Sequence, residues 1–192
     1  INYMINKQSF RLAAGIDLQN RSMVSIDRGN HKDHYIGGYV NYSKKVQSIS
    51  FNPSVRIDYN KHYNIQICPQ LDINYNTENY VYRSSIGRTI RSADFTERFY
   101  NNNYSGTLSS GRNIGNPSLN AEITTNFEIG IDVKKFKSIK FNNTVFYRNS
   151  SNLIDWVLMD SDNIETNIDL LENETYLFAE NISKLHTIGF ES

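Results

Sequence analysis

Few residues in this chain have the types and spacing that catalysis or metal binding requires. Asp27, His31, Asp33 and His34 share one short polar segment, and imidazole with carboxylate is a common ligand set for transition metals. Loop histidines and aspartates are more often solvated than metal-bound, so no metal site is predicted. The single cysteine, Cys68, has no histidine in its own predicted strand and is not expected to act as a nucleophile.

Two carboxylates, Glu128 and Asp132, fall on the polar face of one predicted strand. Carboxylates in such positions usually pair with arginine or lysine of neighbouring strands, and acid–base catalysis would need a positioned partner. The sequence also has no glycine-rich phosphate-binding loop. We therefore predict no enzyme activity, no catalytic residue and no cofactor.

The residues best suited to ligand binding lie in a long polar segment, Ile90 to Glu122. Its run Phe99-Tyr100-Asn101-Asn102-Asn103-Tyr104 sets flat aromatic surfaces beside hydrogen-bonding amides, which suits a small molecule or an oligosaccharide. The segment is predicted to be too polar to form a core, and loops this long are usually functional or disordered. The candidate ligand-binding residues are Arg91, Phe99, Tyr100, Asn102, Tyr104 and Trp156.

The elements that position this segment are predicted strands. Apolar and polar residues alternate without a break from Ile123 to Val133, with Phe127 on one face and Glu128 on the other. Period-two alternation indicates strands with one apolar face. Eight strands are predicted in this way, and no amphipathic helix of convincing length. They are Ser9 to Gln19, His34 to Tyr42, Val46 to Tyr59, Ile65 to Tyr75, Tyr80 to Ile86, Ile123 to Val133, Ile139 to Val157 and Tyr176 to Phe190.

Composition limits the class of protein. Acidic and basic residues balance to a net charge of zero, which gives no indication of a nucleic-acid partner. The apolar content of 39% argues against a large core, because globular chains usually reach about 45–50%. No apolar run approaches the roughly 18 residues of a transmembrane helix. Barrel strands have a much weaker signal, since only alternate residues of about ten face lipid.

Connection lengths favour an antiparallel up-and-down transmembrane β-barrel. The connections after predicted strands one, five and seven are long (Asn20 to Lys32, Ile90 to Glu122, Asp160 to Asn173), whereas most others are short. Such barrels have tight turns at one rim and long loops at the other. A soluble β-sandwich would alternate as well, but its strands are usually shorter. The residues predicted to face lipid are Leu12, Ile16, Ile67, Leu71, Phe127 and Ile131.

A series of short motifs follows one another along the chain. In order, they are Arg56-Ile57-Asp58, Pro69-Gln70-Leu71, Gly87-Arg88, Ile90-Arg91, Phe95-Thr96-Glu97, Gly115-Asn116-Pro117, Asn126-Phe127-Glu128-Ile129-Gly130, Tyr147-Arg148, Asn152-Leu153-Ile154-Asp155, Asn181-Ile182 and Gly189-Phe190-Glu191. In order and spacing the set resembles the carboxy-terminal part of TonB-dependent outer-membrane receptors. The family usually has a proline after an arginine and alanine near the start of the long loop, and Arg91-Ser92-Ala93-Asp94 lacks it.

The resemblance implies an all-β fold in which residues 1–192 form about eight strands of a larger barrel of about 22. Signal peptide, plug domain and final strands are then expected to be absent from this sequence. The resemblance also implies a monomeric full-length barrel in the lipid of the bacterial outer membrane. It would import a scarce ligand, such as a siderophore, haem, cobalamin or a glycan, with energy from the TonB complex through the missing amino-terminal part. A passive porin-like channel and a soluble all-β binding module are the alternatives.

Overall fold

The computed structural model describes residues 1–134 and 141–192. The predicted end of the sixth strand, Lys135 to Lys137, and the predicted start of the seventh, Ile139, lie outside this part of the chain. One short helix, α1 (Phe95–Phe99), and one 3-10 turn (Ser161–Asn163) accompany the strands. The strands are β1 (Asn2–Asn6), β2 (Arg11–Ser25), β3 (Gly29–Val46), β4 (Ile49–Asn60), β5 (Asn64–Asn76), β6 (Tyr80–Arg91), β7 (Thr107–Leu108), β8 (Asn113–Ile114), β9 (Glu122–Val133), β10 (Phe141–Ser151), β11 (Leu153–Asp160), β12 (Asp169–Leu170), β13 (Thr175–Ile182) and β14 (Leu185–Glu191).

Nine strands form one antiparallel sheet in the order β1-β2-β3-β4-β5-β6-β9-β10-β14. Consecutive strands pair as up-and-down neighbours, and β6 pairs with β9 across the long segment between them. The predicted seventh strand is divided at Asn152, whose φ of 55° turns the backbone between β10 and β11. Beyond that point β11 pairs with β13, and β8 joins β13 in parallel. The all-β, partial-barrel prediction is confirmed.

One face of the large sheet is apolar and exposed, as the alternation predicted. Ile16, Ile67 and Phe127 are exposed, and the strand register sets Leu71 opposite exposed Ile86 and Ile131 opposite exposed Tyr82. In a water-soluble sandwich this face would be covered by a second sheet. No second sheet covers it in the described residues.

Two predicted connections are wrong. The polar segment Asn20 to Lys32 is not a long loop, because β2 continues to Ser25 and β3 begins at Gly29. The tight turn predicted at residues 43–45 also lies inside β3, which continues to Val46. Neither stretch alternates in polarity, so the period-two signal is missing. Cross-strand pairs such as Arg21 with Asp33 nevertheless satisfy the backbone.

Two prolines lie within strands at positions where a ladder is interrupted. The β3–β4 pairing skips from Ser54 to Phe51, so Pro53 falls in the gap. The β5–β6 pairing begins at Gln70, one residue after Pro69. Each proline therefore costs no ladder hydrogen bond on that side. In the second gap Arg88 bonds to the carbonyl oxygen of Ile67 at 2.5 Å.

The opposite face of the sheet is polar and held together by ion pairs. Arg56 contacts Asp17 at 3.0 Å and Asp58 at 2.8 Å. Gly37 leaves room for this group, because a Cβ there would lie 2.5 Å from both Arg56 Nη2 and Asp58 Oδ1. Asp132 pairs with Arg83 at 2.9 Å, so the predicted pairing of that carboxylate is confirmed.

Within the described residues, no helix has the length and apolar character needed to span a membrane.

Candidate functional site

The segment between β6 and β9 is folded, and it packs on the segment between β11 and β13. We call residues 92–121 and 161–174 together the loop cap. Its first part contains α1, β7 and β8, and its second part contains the 3-10 turn and β12. The prediction that this segment is too polar to form a core is therefore wrong.

The core of the loop cap combines apolar residues from distant parts of the sequence. Tyr176 lies at its centre with no exposed surface, and its hydroxyl donates to the carbonyl oxygen of Leu108 at 2.8 Å and accepts from the amide of Leu171 at 2.9 Å. The buried members of this cluster are Leu108, Ile114, Ile164, Tyr176 and Phe178. Burying an apolar side chain of this size stabilises a fold by about 1.5–3 kcal/mol, so this cluster contributes to the order of the cap.

A second, smaller cluster attaches the cap to the strands beneath it. Ala93, Leu119 and Ala179 are buried there, with Ile154 and Trp156 packed against them. These residues come from the start of the cap, its end, and the neighbouring β11 and β13. The cap is thus packed against the strands from which it arises.

Arg91 clamps the base of the cap. Its guanidinium forms a two-point contact with Glu122, at 2.7 and 2.6 Å, and reaches Glu97 at 3.0 Å. Glu122 also accepts a hydrogen bond from the amide of Ile154 at 2.8 Å. The Arg91 hydrogen bonds hold the pKa of Glu122 below its usual value against the opposing effect of burial, and the Ile154 amide adds to them. Arg91 and Glu122 together thereby connect β6, β9, α1 and β11.

Helix α1 begins with a capping box. The Asp94 side chain accepts from the Glu97 amide, and the Glu97 side chain accepts from the Asp94 amide, both at 2.8 Å, which satisfies two free donors of the first turn. Arg98 is buried and donates to the carbonyl oxygen of Pro117 at 2.8 Å. Gly115 must be glycine, because a Cβ would lie 2.5 Å from the backbone nitrogen of Tyr100.

The β2–β3 hairpin supports the cap from one side. The His31 ring stacks on Phe99 with centroids 3.6 Å apart and planes 5° apart. Arg28 lies 4.9 Å from the centre of the Tyr100 ring and donates to the hydroxyl of Thr96 at 3.2 Å. The hairpin that replaces the predicted loop therefore orients α1.

A cleft of about 620 Å³ separates the two parts of the loop cap. Its lining contains amide and hydroxyl side chains together with a few apolar ones. The lining residues are Tyr100, Asn102, Gly115, Asn116, Pro117, Ser118, Met159, Asn163, Glu165, Thr166, Asn167, Ile168, Phe178 and Glu180. The size of the cleft is within the range of small-molecule sites, which are about 300–1,000 Å³.

The six predicted ligand-binding residues are not brought together. Tyr100 and Asn102 line the cleft. Tyr104 is exposed outside it, under the guanidinium of Arg112 at 5.5 Å. Arg91, Phe99 and Trp156 are occupied by the contacts described above. The ligand-binding role of all six remains a prediction.

The polar lining residues contributed by the second part of the cap did not emerge from sequence reasoning. Asn163, Thr166 and Asn167 belong to the segment Asp160 to Asn173, which the sequence predicts as a long connection. The signal present in the sequence was its density of amides and hydroxyls. Asn116 and Ser118, in the Gly-Asn-Pro motif, were likewise missed.

The side chains considered as metal ligands in the polar segment, Asp27, His31, Asp33 and His34, do not form a common site. Asp27 pairs with Arg28 at 2.8 Å, and His34 contacts the side-chain oxygen of Asn20 at 2.7 Å. Among residues 1–134 and 141–192, no group of three or more histidine, cysteine, aspartate or glutamate side chains is arranged to hold a metal ion.

A second cavity, of about 690 Å³, lies on the polar face of the sheet. Arg56, Asp58, Tyr35 and Tyr63 are among its lining residues. Burial lowers the pKa of the neighbouring His62, in the β4–β5 turn, with the charge of Arg98 acting in the same direction. This turn also contacts the cap, since His62 meets the Phe99 ring edge-on at 6.5 Å.

Comparison with known proteins identifies the architecture. A family model described as TonB dependent receptor-like, beta-barrel matches residues 3–192. No curated protein matches the sequence.

Three solved structures resemble the chain at low identity. The siderophore receptor PirA from Pseudomonas aeruginosa has a TM-score of 0.76 at 18% identity, over 99% of this chain and 34% of that one. The ferric enterobactin receptor PfeA from Pseudomonas aeruginosa, in complex with BCV-L6, has 0.77 at 17%, over 99% and 31%. The FrpB iron transporter from Neisseria meningitidis has 0.66 at 15%, over 98% and 32%. The chain thus spans about a third of each relative's length.

Proposed function

Because this chain belongs to the TonB-dependent receptor family as a stretch of its β-barrel, we propose that it supplies part of the wall and two ligand-capturing loops of an outer-membrane importer. The whole protein would take up a scarce ligand with energy from the TonB complex. Residues 1–192 then belong to one barrel domain, and a plug domain elsewhere in the protein would close the lumen. The observation that carries the proposal is the cleft in the loop cap, at one end of a sheet with an apolar and a polar face.

The apolar face suits contact with lipid. Ile16, Ile67 and Phe127 are exposed on it, and Leu12, Leu71 and Ile131 complete the predicted set. A bilayer is the environment in which a row of exposed isoleucine, leucine and phenylalanine costs nothing. We accordingly assign the protein to the bacterial outer membrane, as a monomeric barrel.

The polar face suits the lumen. Its ion pairs, Arg56 with Asp17 and Asp58, and Arg83 with Asp132, would be expensive in hydrocarbon. When the sheet curves with the charged face inside, the polar face contacts the water of the lumen and the apolar face contacts lipid. The strands end in the loop cap on one rim and in short turns such as residues 77–79 on the other, and this asymmetry supports an extracellular position for the cap.

The cleft supplies the ligand contacts in this proposal. Relatives named as a siderophore receptor, a ferric enterobactin receptor and an iron transporter make an iron chelate the first class to test. Amides of Asn102 and Asn167 beside the Tyr100 and Phe178 rings offer both hydrogen bonds and flat apolar contact, which such a ligand needs.

A transport assay tests the proposal. The gene is deleted in its host, and uptake of iron supplied as a panel of ferric siderophores is compared with and without an intact TonB complex. Loss of uptake of one chelate in both the gene deletion and the TonB mutant is expected. Uptake that needs the gene but not TonB would instead indicate a passive channel.

Point substitutions test the cleft more sharply than a deletion. Removing residues 101–110 would delete Leu108 from the cap core and so disturb folding as well as binding. The double variant Asn163→Ala with Asn167→Ala removes two lining amides, and we expect the half-saturating concentration for uptake to rise roughly tenfold, at about 0.5–1.5 kcal/mol for each hydrogen bond. Asn79→Ala, in a turn at the opposite rim, is the matched control.

A further inference from the structure

The cleft in the loop cap has no positive charge in its lining. In the described part of the chain its lining contains two charged residues, and both are carboxylates, Glu165 and Glu180. Neither makes an ion pair or a side-chain hydrogen bond within residues 1–134 and 141–192. Each therefore presents an uncompensated negative charge to anything that enters.

The sequence around these two residues strengthens the negative potential. The stretch from Asn149 to Ser183 contains eight carboxylates and no lysine, arginine or histidine. It supplies β11, the second part of the cap and β13. The carboxylates are Asp155, Asp160, Asp162, Glu165, Asp169, Glu172, Glu174 and Glu180. Since the whole chain is neutral, this segment concentrates negative charge, and Glu165 and Glu180 are the two of its carboxylates that line the cleft.

Among the described residues, the lining of the cleft contains no arginine, and the arginines of the cap and its supporting strands lie elsewhere. Arg112 lies over the Tyr104 ring at 5.5 Å. Arg91 is held by Glu97 and Glu122, and Arg28 by Asp27. Arg98 is 2% exposed and its guanidinium is directed to the carbonyl oxygen of Pro117. None of these arginines lines the cleft. A polyanionic ligand in the cleft would therefore not find the accessible cations among them that such ligands require.

The neutral lining groups are the ones left free. The side chains of Asn102, Ser118, Asn163 and Asn167 line the cleft and make no hydrogen bond within the described part of the chain. Amides offer donors and acceptors together, and a hydroxyl offers both. A site of this kind is matched to a ligand that carries hydroxyl, amide or hydroxamate groups without net negative charge.

We propose that the cleft selects uncharged, hydrogen-bond-rich ligands, such as a neutral ferric tris-hydroxamate, and rejects polyanionic chelates of the tris-catecholate class. Selection works by repulsion as much as by attraction, since a polyanion would be brought against unpaired Glu165 and Glu180 with no cation to offset them. This inference rests on the proposed import function and narrows its substrate class.

Binding to the full-length protein in detergent tests the inference. Three probes are titrated by quenching of intrinsic fluorescence or by calorimetry: ferrichrome as the neutral tris-hydroxamate, ferric enterobactin as the polyanionic tris-catecholate, and maltoheptaose as an iron-free neutral probe. At least one neutral probe is expected to bind more than about tenfold tighter than ferric enterobactin, because like-charge juxtaposition costs several kcal/mol when it is close.

The double variant Glu165→Gln with Glu180→Gln provides the decisive comparison, because it removes charge and keeps shape. The ratio of its affinity for ferric enterobactin to its affinity for the neutral probe should rise about fivefold or more. Glu78→Gln, in a turn at the opposite rim, is the control and should leave this ratio unchanged. High salt should reproduce part of the gain for ferric enterobactin by screening.

Each outcome decides the inference. Ferric enterobactin binding as tightly as the neutral probes, failure of both neutral probes to bind, or an unchanged affinity ratio in the double variant would overturn it. The proposed function fails separately, when deletion of the gene leaves TonB-dependent uptake of every chelate unchanged. Gene-dependent uptake of polyanionic chelates alone would overturn the inference and leave the import function standing.

Discussion

Replacing Tyr176 by phenylalanine removes one oxygen atom from the centre of the loop cap. The ring is fully buried and its hydroxyl makes two hydrogen bonds, to the carbonyl oxygen of Leu108 and from the amide of Leu171. Phenylalanine keeps the apolar packing with Ile114 and Ile164. The substitution therefore isolates the polar contribution to the order of the cap.

The expected cost follows from the two groups that lose their partner. The carbonyl of Leu108 is left buried and unpaired, which costs about 1–3 kcal/mol, and the amide of Leu171, which is nearer the surface, costs less because water can reach it. We expect the cap of the Tyr176→Phe variant to be destabilised by about 2 kcal/mol. At 1.4 kcal/mol for each tenfold change, local opening becomes roughly 30-fold more frequent.

Amide hydrogen exchange in the full-length protein measures this opening. The amides of Gly111 and Leu177 are suitable reporters, because they bond across the cap to Thr175 and Arg112. Their exchange should accelerate while the β4–β5 ladder is unchanged. Tyr59→Phe, an exposed tyrosine of β4 without a hydrogen bond in the described residues, is the control. Unchanged exchange at both reporters, or equal acceleration in the ladder, would refute the argument.

Three further substitutions or conditions have defined expected results. Arg91→Ala should loosen the base of the cap by about 1–2 kcal/mol, since Arg91 is nearly half exposed and solvent screens its pairs; limited proteolysis should then cut residues 92–121 faster, and an unchanged rate would contradict the clamp. Burial depresses the pKa of His62, so neutral His62 stabilises the fold fully above the unfolded pKa of about 6.5, and this contribution is lost as the pH falls from there through the lower folded pKa. NMR titration of the ring should give a midpoint below 6.5, and a midpoint above it would contradict the burial argument. Ile129→Arg on the apolar face should cost about 2–4 kcal/mol in lipid vesicles and Glu128→Arg on the polar face much less; equal costs would remove the lipid assignment.

The strands could be predicted from the sequence because their environment imposes a simple period. Ile129 and Glu128 differ in polarity because neighbouring residues of a strand point to opposite sides, and the observed faces follow that rule. The prediction of a loop between β2 and β3 was wrong because this part of the sequence lacks the period-two pattern. Residues such as Arg21 and Asp33 pair across the hairpin, where polar side chains occupy both faces, so the backbone is a strand while the sequence carries no period.

The loop cap could not be predicted because its order depends on contacts between distant residues. Leu108, Ile164 and Tyr176 are separated by many polar positions, and no local period connects them. They meet because the strands bring the ends of the two segments together. A search for apolar residues isolated within polar loops would have found candidates, but their pairing requires the strand register.

The cap also explains why some of the residues predicted to bind ligand make packing contacts instead. A polar segment can be ordered only if its few large apolar side chains are buried, because the ordering entropy of about 1–2 kcal/mol per residue must be offset. Phe99 is one of those few, and Trp156 of β11 packs against the cluster that attaches the cap, so both residues are used for packing. Small amides and hydroxyls such as Asn163 and Ser118 contribute little to a core and remain free to line the cleft. Substituting the aromatics should therefore change folding of the cap first, and substituting the amides should change binding alone.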